Sequence, residues 1–134
     1  MRRICNQYGF PAKELTQEVT IVHGDYPACK RAVRCRALWD TGASDTVVDT
    51  RVVQALGLRR LDLPPRISHT GNGDVVSYAY EACLVLADGW PPMQMTIYEI
   101  PPSDMPVLIG MDIIGRGQFC VSPCNGKTVM TFEI

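Results

Sequence analysis

The run Leu38-Trp39-Asp40-Thr41-Gly42-Ala43 ends an apolar stretch on a carboxylate and turns at once on a glycine. An acid placed there stands on a rigid support in a partly dry setting, and burial by itself raises a carboxyl pKa by disfavouring the charged form. Gly42 lets backbone approach the acid closely, and the Thr41 hydroxyl can add a fixing hydrogen bond. The bare Asp-Thr-Gly triplet is only moderately specific, since ordinary composition places it by chance in a few per cent of chains this long. A turn with no chemistry reads the same way, so the surroundings must decide.

The remaining polar residues offer less. Asp45 suits a cap at a helix start. Asp112 reads as a cap at the opening of a short helix, where the dipole favours negative charge, rather than as a catalytic acid. Asp49 and Asp74 read as surface residues, and His23 and His69 as residues of strand surfaces. Of the six cysteines, Cys35 and Cys83 read as small apolar side chains. Cys120 and Cys124 have a spacing that zinc could use, but no second spaced pair completes four ligands, so neither a metal nor a metal-built structural protein is expected.

Many short strands must position the acid. Val19-Thr20-Ile21-Val22 is β-branched and stops at Gly24-Asp25, and Arg34 to Trp39 runs as a second strand into Asp40. Apolar residues from Val47 to Leu56 recur at helical spacing and end at Gly57. Residues 66–80 read as a hairpin, with a type I′ turn at Asn72-Gly73 because both positions of that turn need positive φ. Cys83 to Leu86 is a strand turning at Asp88-Gly89, and Met93 to Ile100 alternates. Val107-Leu108-Ile109 is an unbroken apolar run of a fully buried strand. Phe119-Cys120-Val121 and Thr128 to Ile134 complete the set. Residues 1–17 show neither period and read as an N-terminal arm, leaving residues 18–134 as one all-β domain.

Three segments carry a family resemblance. Asp40-Thr41-Gly42-Ala43-Ser44-Asp45-Thr46-Val47 closely resembles the catalytic segment of retroviral proteases. The tip Thr70-Gly71-Asn72-Gly73 falls where that family has its flap, and Val107-Leu108-Ile109-Gly110-Met111-Asp112-Ile113-Ile114 is similar to its late hydrophobic strand and short helix. From about Val19 to Ile134 the chain is identified as a member of the retropepsin-like aspartic peptidases, nearer the cellular or bacterial branch in its Ile-Gly-Met-Asp wording. The resemblance implies a closed barrel with a flap hairpin and one short C-terminal helix. It implies an endopeptidase in which Asp40, Thr41 and Gly42 form the catalytic triplet and Ala43, Asp45, Gly71, Asn72 and Gly73 meet a polypeptide substrate, with no cofactor. One Asp-Thr-Gly per chain then requires a homodimer, and the family's terminal-strand pairing points to Thr128 to Ile134 as the interface. The departures are the long arm, the polar flap residues Asn72 and Asp74, and the loop Gly89-Trp90-Pro91-Pro92-Met93. They motivate a second reading, a catalytically weak retropepsin-fold module for dimerisation or peptide binding.

Composition narrows the rest. A chain of 134 residues can bury a core without metal or disulfides. A formal net charge of −1 argues against nucleic acid as partner. No stretch approaches the roughly 20 apolar residues a membrane crossing needs. Behind Met1-Arg2-Arg3 no apolar run follows, so a secretory leader is not expected and the cytoplasm is.

Overall fold

The computed structural model describes residues 1–134 except the side chain of Thr70. Strands β1 (Arg3–Gly9), β2 (Thr16–His23), β3 (Ala32–Trp39) and β4 (Val47–Asp49) lead into helix α1 (Thr50–Leu56). The hairpin β5 (Arg66–Thr70) and β6 (Gly73–Ser77) follows, then β7 (Ala79–Val85) and β8 (Met93–Ile100). Last come β9 (Val107–Ile109), helix α2 (Met111–Ile114), β10 (Gln118–Cys124) and β11 (Lys127–Glu133).

Six strands close into a barrel in the order β2-β3-β9-β4-β8-β7, as expected. Alternation sets which side chains fill it: Val19 and Ile21 on β2, and Met95 and Ile97 on β8, point inward. Strand β9 sits between β3 and β4, and Val107 and Ile109 are fully buried, which is why its sequence is unbroken in its apolarity. Helix α1 begins at Asp49 and stops at Gly57, whose φ of 61° is the left-handed cap glycine accepts at little cost.

A second sheet, β1-β11-β10, lies against the barrel. Its inner face carries Ile4, Met130 and Phe132, all buried, and Phe132 meets Trp39 of β3 with ring centroids 5.1 Å apart. Cutting Phe132 back to alanine in such a place costs about 3–5 kcal/mol. That contact ties the second sheet to the strand that delivers Asp40.

Four local expectations change. The helix expected from Val47 begins only at Thr50, because Val47–Asp49 pair with β8 and β9 as barrel strand β4, and three valine-rich residues fit either period. The segment 1–17, which shows no period, carries strand β1, paired residue for residue with β11 from Arg3↔Glu133 to Gly9↔Lys127. Pairing with a strand from the far end of the chain leaves no local signature. Strand β11 is therefore the middle strand of its sheet, with β1 on one side and β10 on the other, so Thr128 to Ile134 has no open edge to offer a second copy. The hairpin at 66–80 is present, but Gly73 alone has positive φ (107°) and pairs with Thr70. Asn72 does not have positive φ, which fits a turn followed by a glycine bulge rather than a type I′ turn. The type I′ signature stands instead at Asn125-Gly126, φ 50° and 74°, between the paired Cys124 and Lys127. Among the described residues no helix is long and apolar enough to cross a membrane.

Candidate active site

Asp40 is the first residue beyond β3. Its N–H donates to Ile109 O of β9 at 2.9 Å, and Trp39 before it is buried, with its indole N–H on Gln17 Oε1 at 2.9 Å. The backbone is thus pinned from the barrel while the side chain stays half-buried. Gly42 N–H donates to Asp40 Oδ1 at 2.9 Å, and Ala43 N–H to Asp40 O at 3.2 Å, closing the turn. Among the described residues Gly42 is the only hydrogen-bond donor to this carboxylate, so Oδ2 remains open.

The loop after the turn is braced by the segment following β9. Met111 N–H donates to Ala43 O at 2.8 Å and Asp112 N–H to Ser44 O at 3.2 Å. The Asp112 carboxylate accepts from Thr46 N–H at 2.9 Å and Thr46 Oγ1–H at 2.7 Å, while Gly110 N–H donates to Thr46 Oγ1 at 3.1 Å. Thr46 is fully buried, so this network is dry and each partner matters. A Cβ at position 110 would lie 2.6 Å from the backbone of Asp45, so only glycine permits this approach. Asp112 therefore does not cap α2, which has no side-chain cap, but holds the loop that starts at Asp40.

The other acids divide clearly. Asp45 forms an ion pair with Arg66 at 3.2 Å across the cleft, and does not cap α1. The cap is Asp49, read from sequence as a surface residue but fully buried. Its carboxylate accepts from Arg51 N–H at 2.7 Å, Ser103 N–H at 2.7 Å and the Arg51 guanidinium at 2.7 Å. The Arg51 side-chain bond holds this carboxyl down to about 2 against the opposing effect of burial, and the two N–H donors help. Asp74 is exposed, as expected, and meets His69 at 2.6 Å across the β5–β6 hairpin. Burial pushes the Cys35 and Cys83 thiols up, Cys35 to about 11, consistent with packing rather than reactivity.

Two grooves open at this end of the barrel. One, of about 340 Å³, is lined by Gly42, Ala43 and Asp45 on its floor, Arg66 and Ile67 at the hairpin base, and Tyr98. The Arg66 guanidinium lies over the Tyr98 ring at 5.3 Å. The other, of about 440 Å³, is lined by Asp40 and Thr41 together with Lys13, Glu14, Phe119 and Val121. The expected residues Gly42, Ala43 and Asp45 thus share a cleft, and Asp40 and Thr41 face its neighbour. Gly71 and Gly73 lie at the hairpin tip, where an added Cβ would meet nothing within 4 Å, and Asn72 between them is exposed. Ile67 and Val76 pair across the hairpin with both side chains exposed, an apolar surface suited to an extended chain. Arg66 and Tyr98 carry no local motif that would have marked them. Among the described residues no three His, Cys, Asp or Glu side chains gather to hold a metal ion.

Residues 17–113 match the family model of aspartyl proteases, most of the chain, and the chain belongs to that family. In structure it is similar to a retropepsin-like aspartic protease from Rickettsia conorii, at 18% identity over 90% of this chain and 96% of that one, with a TM-score of 0.48. It is also similar to the retroviral protease-like domain of Ddi1 from Leishmania major, at 16% identity over 87% of this chain and 93% of that one, with a TM-score of 0.44. No curated protein matches it in sequence.

Proposed function

We propose that the chain is an aspartic endopeptidase that works as a homodimer, each copy supplying one Asp40. The observation that carries this is the Asp40 carboxylate itself, fixed by one N–H on a braced turn and open at its second oxygen. Asp49 and Asp112 are committed to three and two donors respectively, and Asp45 to Arg66.

Two such carboxylates about 3 Å apart cannot both ionise and share one proton. The ionised member takes a proton from the water between them as that water attacks the peptide carbonyl carbon. The protonated member gives its proton to the carbonyl oxygen, so no free oxyanion builds up. The gem-diol intermediate collapses as the C–N bond breaks, the leaving nitrogen taking a proton from one aspartate while a diol hydroxyl gives its proton to the other, which restores the singly protonated pair. Titration belongs to the pair, and the rate is expected to be bell-shaped in pH with its maximum on the acid side. A polypeptide lying between the 42–45 loop and the hairpin would be held through main-chain hydrogen bonds, as an added strand is.

The experiment is cleavage of a peptide library by Asp40→Asn, expected to be slower by about 10²–10⁴-fold or more because the amide cannot exchange the proton. Glu14 shares the groove with Asp40 and is exposed, so Glu14→Gln is the control, expected to keep full activity. Unchanged turnover in Asp40→Asn overturns the proposal. Peptide binding with no cleavage by the wild-type chain would favour the peptide-binding module.

A further inference from the structure

We infer that the second copy docks on the outer edge of β10 and pairs its own β10 there, antiparallel, about a two-fold axis at Cys120. This rests on the reading of the chain as a two-copy peptidase and says which surface joins the copies. The site needs a second Asp40 about 3 Å from the first, so the axis must pass beside the groove that Asp40 and Thr41 line. Val121 of β10 lines that same groove, and Phe119 of β10 packs on Trp39 at 5.6 Å, immediately before Asp40.

The barrel has no edges, and the β1-β11-β10 sheet has two. They differ in how they are protected. Folded proteins guard exposed edges with charge, and β1 begins on Arg3, preceded by Arg2. Its Ile4 and Asn6 line a groove with β2, and no residue of β1 lines the groove that holds Asp40. Strand β10, Gln-Phe-Cys-Val-Ser-Pro-Cys, bears no charge, and Val121 is 47% exposed. Its one protective device is Pro123, which lacks an N–H and confines further pairing to the residues before it. The segment left, Gln118 to Ser122, is centred on Cys120.

A two-fold axis there pairs Gln118 with Ser122 of the second copy, Phe119 with Val121, and Cys120 with itself. Phe119 and Val121 point to the Asp40 side, so the pairing covers the exposed valine. Cys120 points to the opposite face, beside Thr131. Directly opposed residues in an antiparallel pair have Cα atoms about 4.5–5.5 Å apart, well within reach of a short cross-linker.

The exposed thiols are Cys5, Cys120 and Cys124, one on the β1 edge and two on β10, which makes the test internal to the protein. The full chain with Cys5→Ser and Cys124→Ser keeps Cys120 as its exposed thiol. A short bis-maleimide is expected to join two such chains, and to leave single the matched chain that keeps only Cys5. Separately, Cys120→Lys places like charges opposite each other across the axis and is expected to raise the dimer dissociation constant at least ten-fold in sedimentation. Its melting midpoint in the dilute monomer should match wild type, since Cys120 is exposed. A dimer joined through Cys5, or one that Cys120→Lys leaves intact, overturns this interface while the two-copy peptidase stands. A chain that stays monomeric at every concentration also overturns it, and if that monomer cleaves peptide the two-copy reading falls with it.

Discussion

Asp40 and Asp49 stand at the two ends of one short stretch of chain, and their surroundings are opposite. Asp49 is fully buried at the start of α1, and Arg51 and Ser103 supply it with two backbone N–H groups and a guanidinium. Such a carboxyl is locked in its charged form and has no proton to trade. Asp40 is half-buried, lines a groove, and receives one N–H, from Gly42, on Oδ1. Burial and binding partners alone would have pointed to Asp49 as the special acid. What acid–base chemistry needs instead is a carboxyl whose position is fixed through its backbone and which keeps one oxygen uncommitted. Asp112 lies between these cases, since its oxygens are committed to Thr46 but the loop it thereby holds is the one that starts at Asp40.

The sharpest way to break the comparison is to make the same change at both ends. Asp40→Asn is expected to lose about 10²–10⁴-fold or more in kcat with its melting midpoint nearly unchanged, and Asp49→Asn the reverse, a lower midpoint with kcat retained. A fall of kcat in both by the same factor would erase the distinction.

Next in size is the flap. Gly73 has φ of 107° with open space around it, so a Cβ there meets backbone strain rather than neighbours. If the hairpin opens and closes over substrate as the proposed peptidase requires, Gly73→Val is expected to cut activity far more than it lowers the melting midpoint. Full activity in a slightly destabilised variant would make the hairpin an ordinary surface turn.

Asp112 gives a graded pair. Asp112→Ala leaves the buried Thr46 N–H and hydroxyl without an acceptor and is expected to cost about 1–3 kcal/mol, with a drop in kcat as the loop loosens. Asp112→Asn keeps one acceptor oxygen and should stay close to wild type in kcat. Thermal unfolding and steady-state kinetics on the two variants separate holding the loop from chemistry, and equal kcat in both would show the brace to be irrelevant to the rate.

The smallest effect is the pH response of Asp49. Its folded pKa of about 2 lies below the ordinary aspartate value of about 3.9, so its contribution to stability is fully present above about pH 4 and fades as pH falls through 2. Because the Arg51 side chain is 63% exposed, the pair is screened and the contribution is roughly 1–2 kcal/mol. Urea unfolding between pH 5 and pH 2 should show that loss in the wild type and not in Asp49→Asn.

Local pattern in the sequence was enough for a good part of this molecule. The bounds of β8 and β9 match the alternating run Met93 to Ile100 and the continuous run Val107-Leu108-Ile109, because one strand is half-buried and the other wholly buried. The turn at Asp40-Thr41-Gly42 and the stop of the helix at Gly57 were equally legible, since both depend on neighbours within a few residues, but the start of that helix was not, because Val47–Asp49 are drawn into the barrel by β8 and β9. Asn125-Gly126 held the true type I′ signal, of the same two residue types as Asn72-Gly73, and only the strand register tells the two turns apart. The tertiary structure alone decided the rest. Thr46 and Asp112 meet across 66 positions, Ser103 reaches Asp49 across 54, and Arg3 finds Glu133 at the other end of the chain. Those partners share no period and no motif. A hydrogen bond closed by a long loop leaves its ends looking like any other polar or apolar residue, so which acids were committed to structure, and which strand edge was left open, became visible only when the chain was folded.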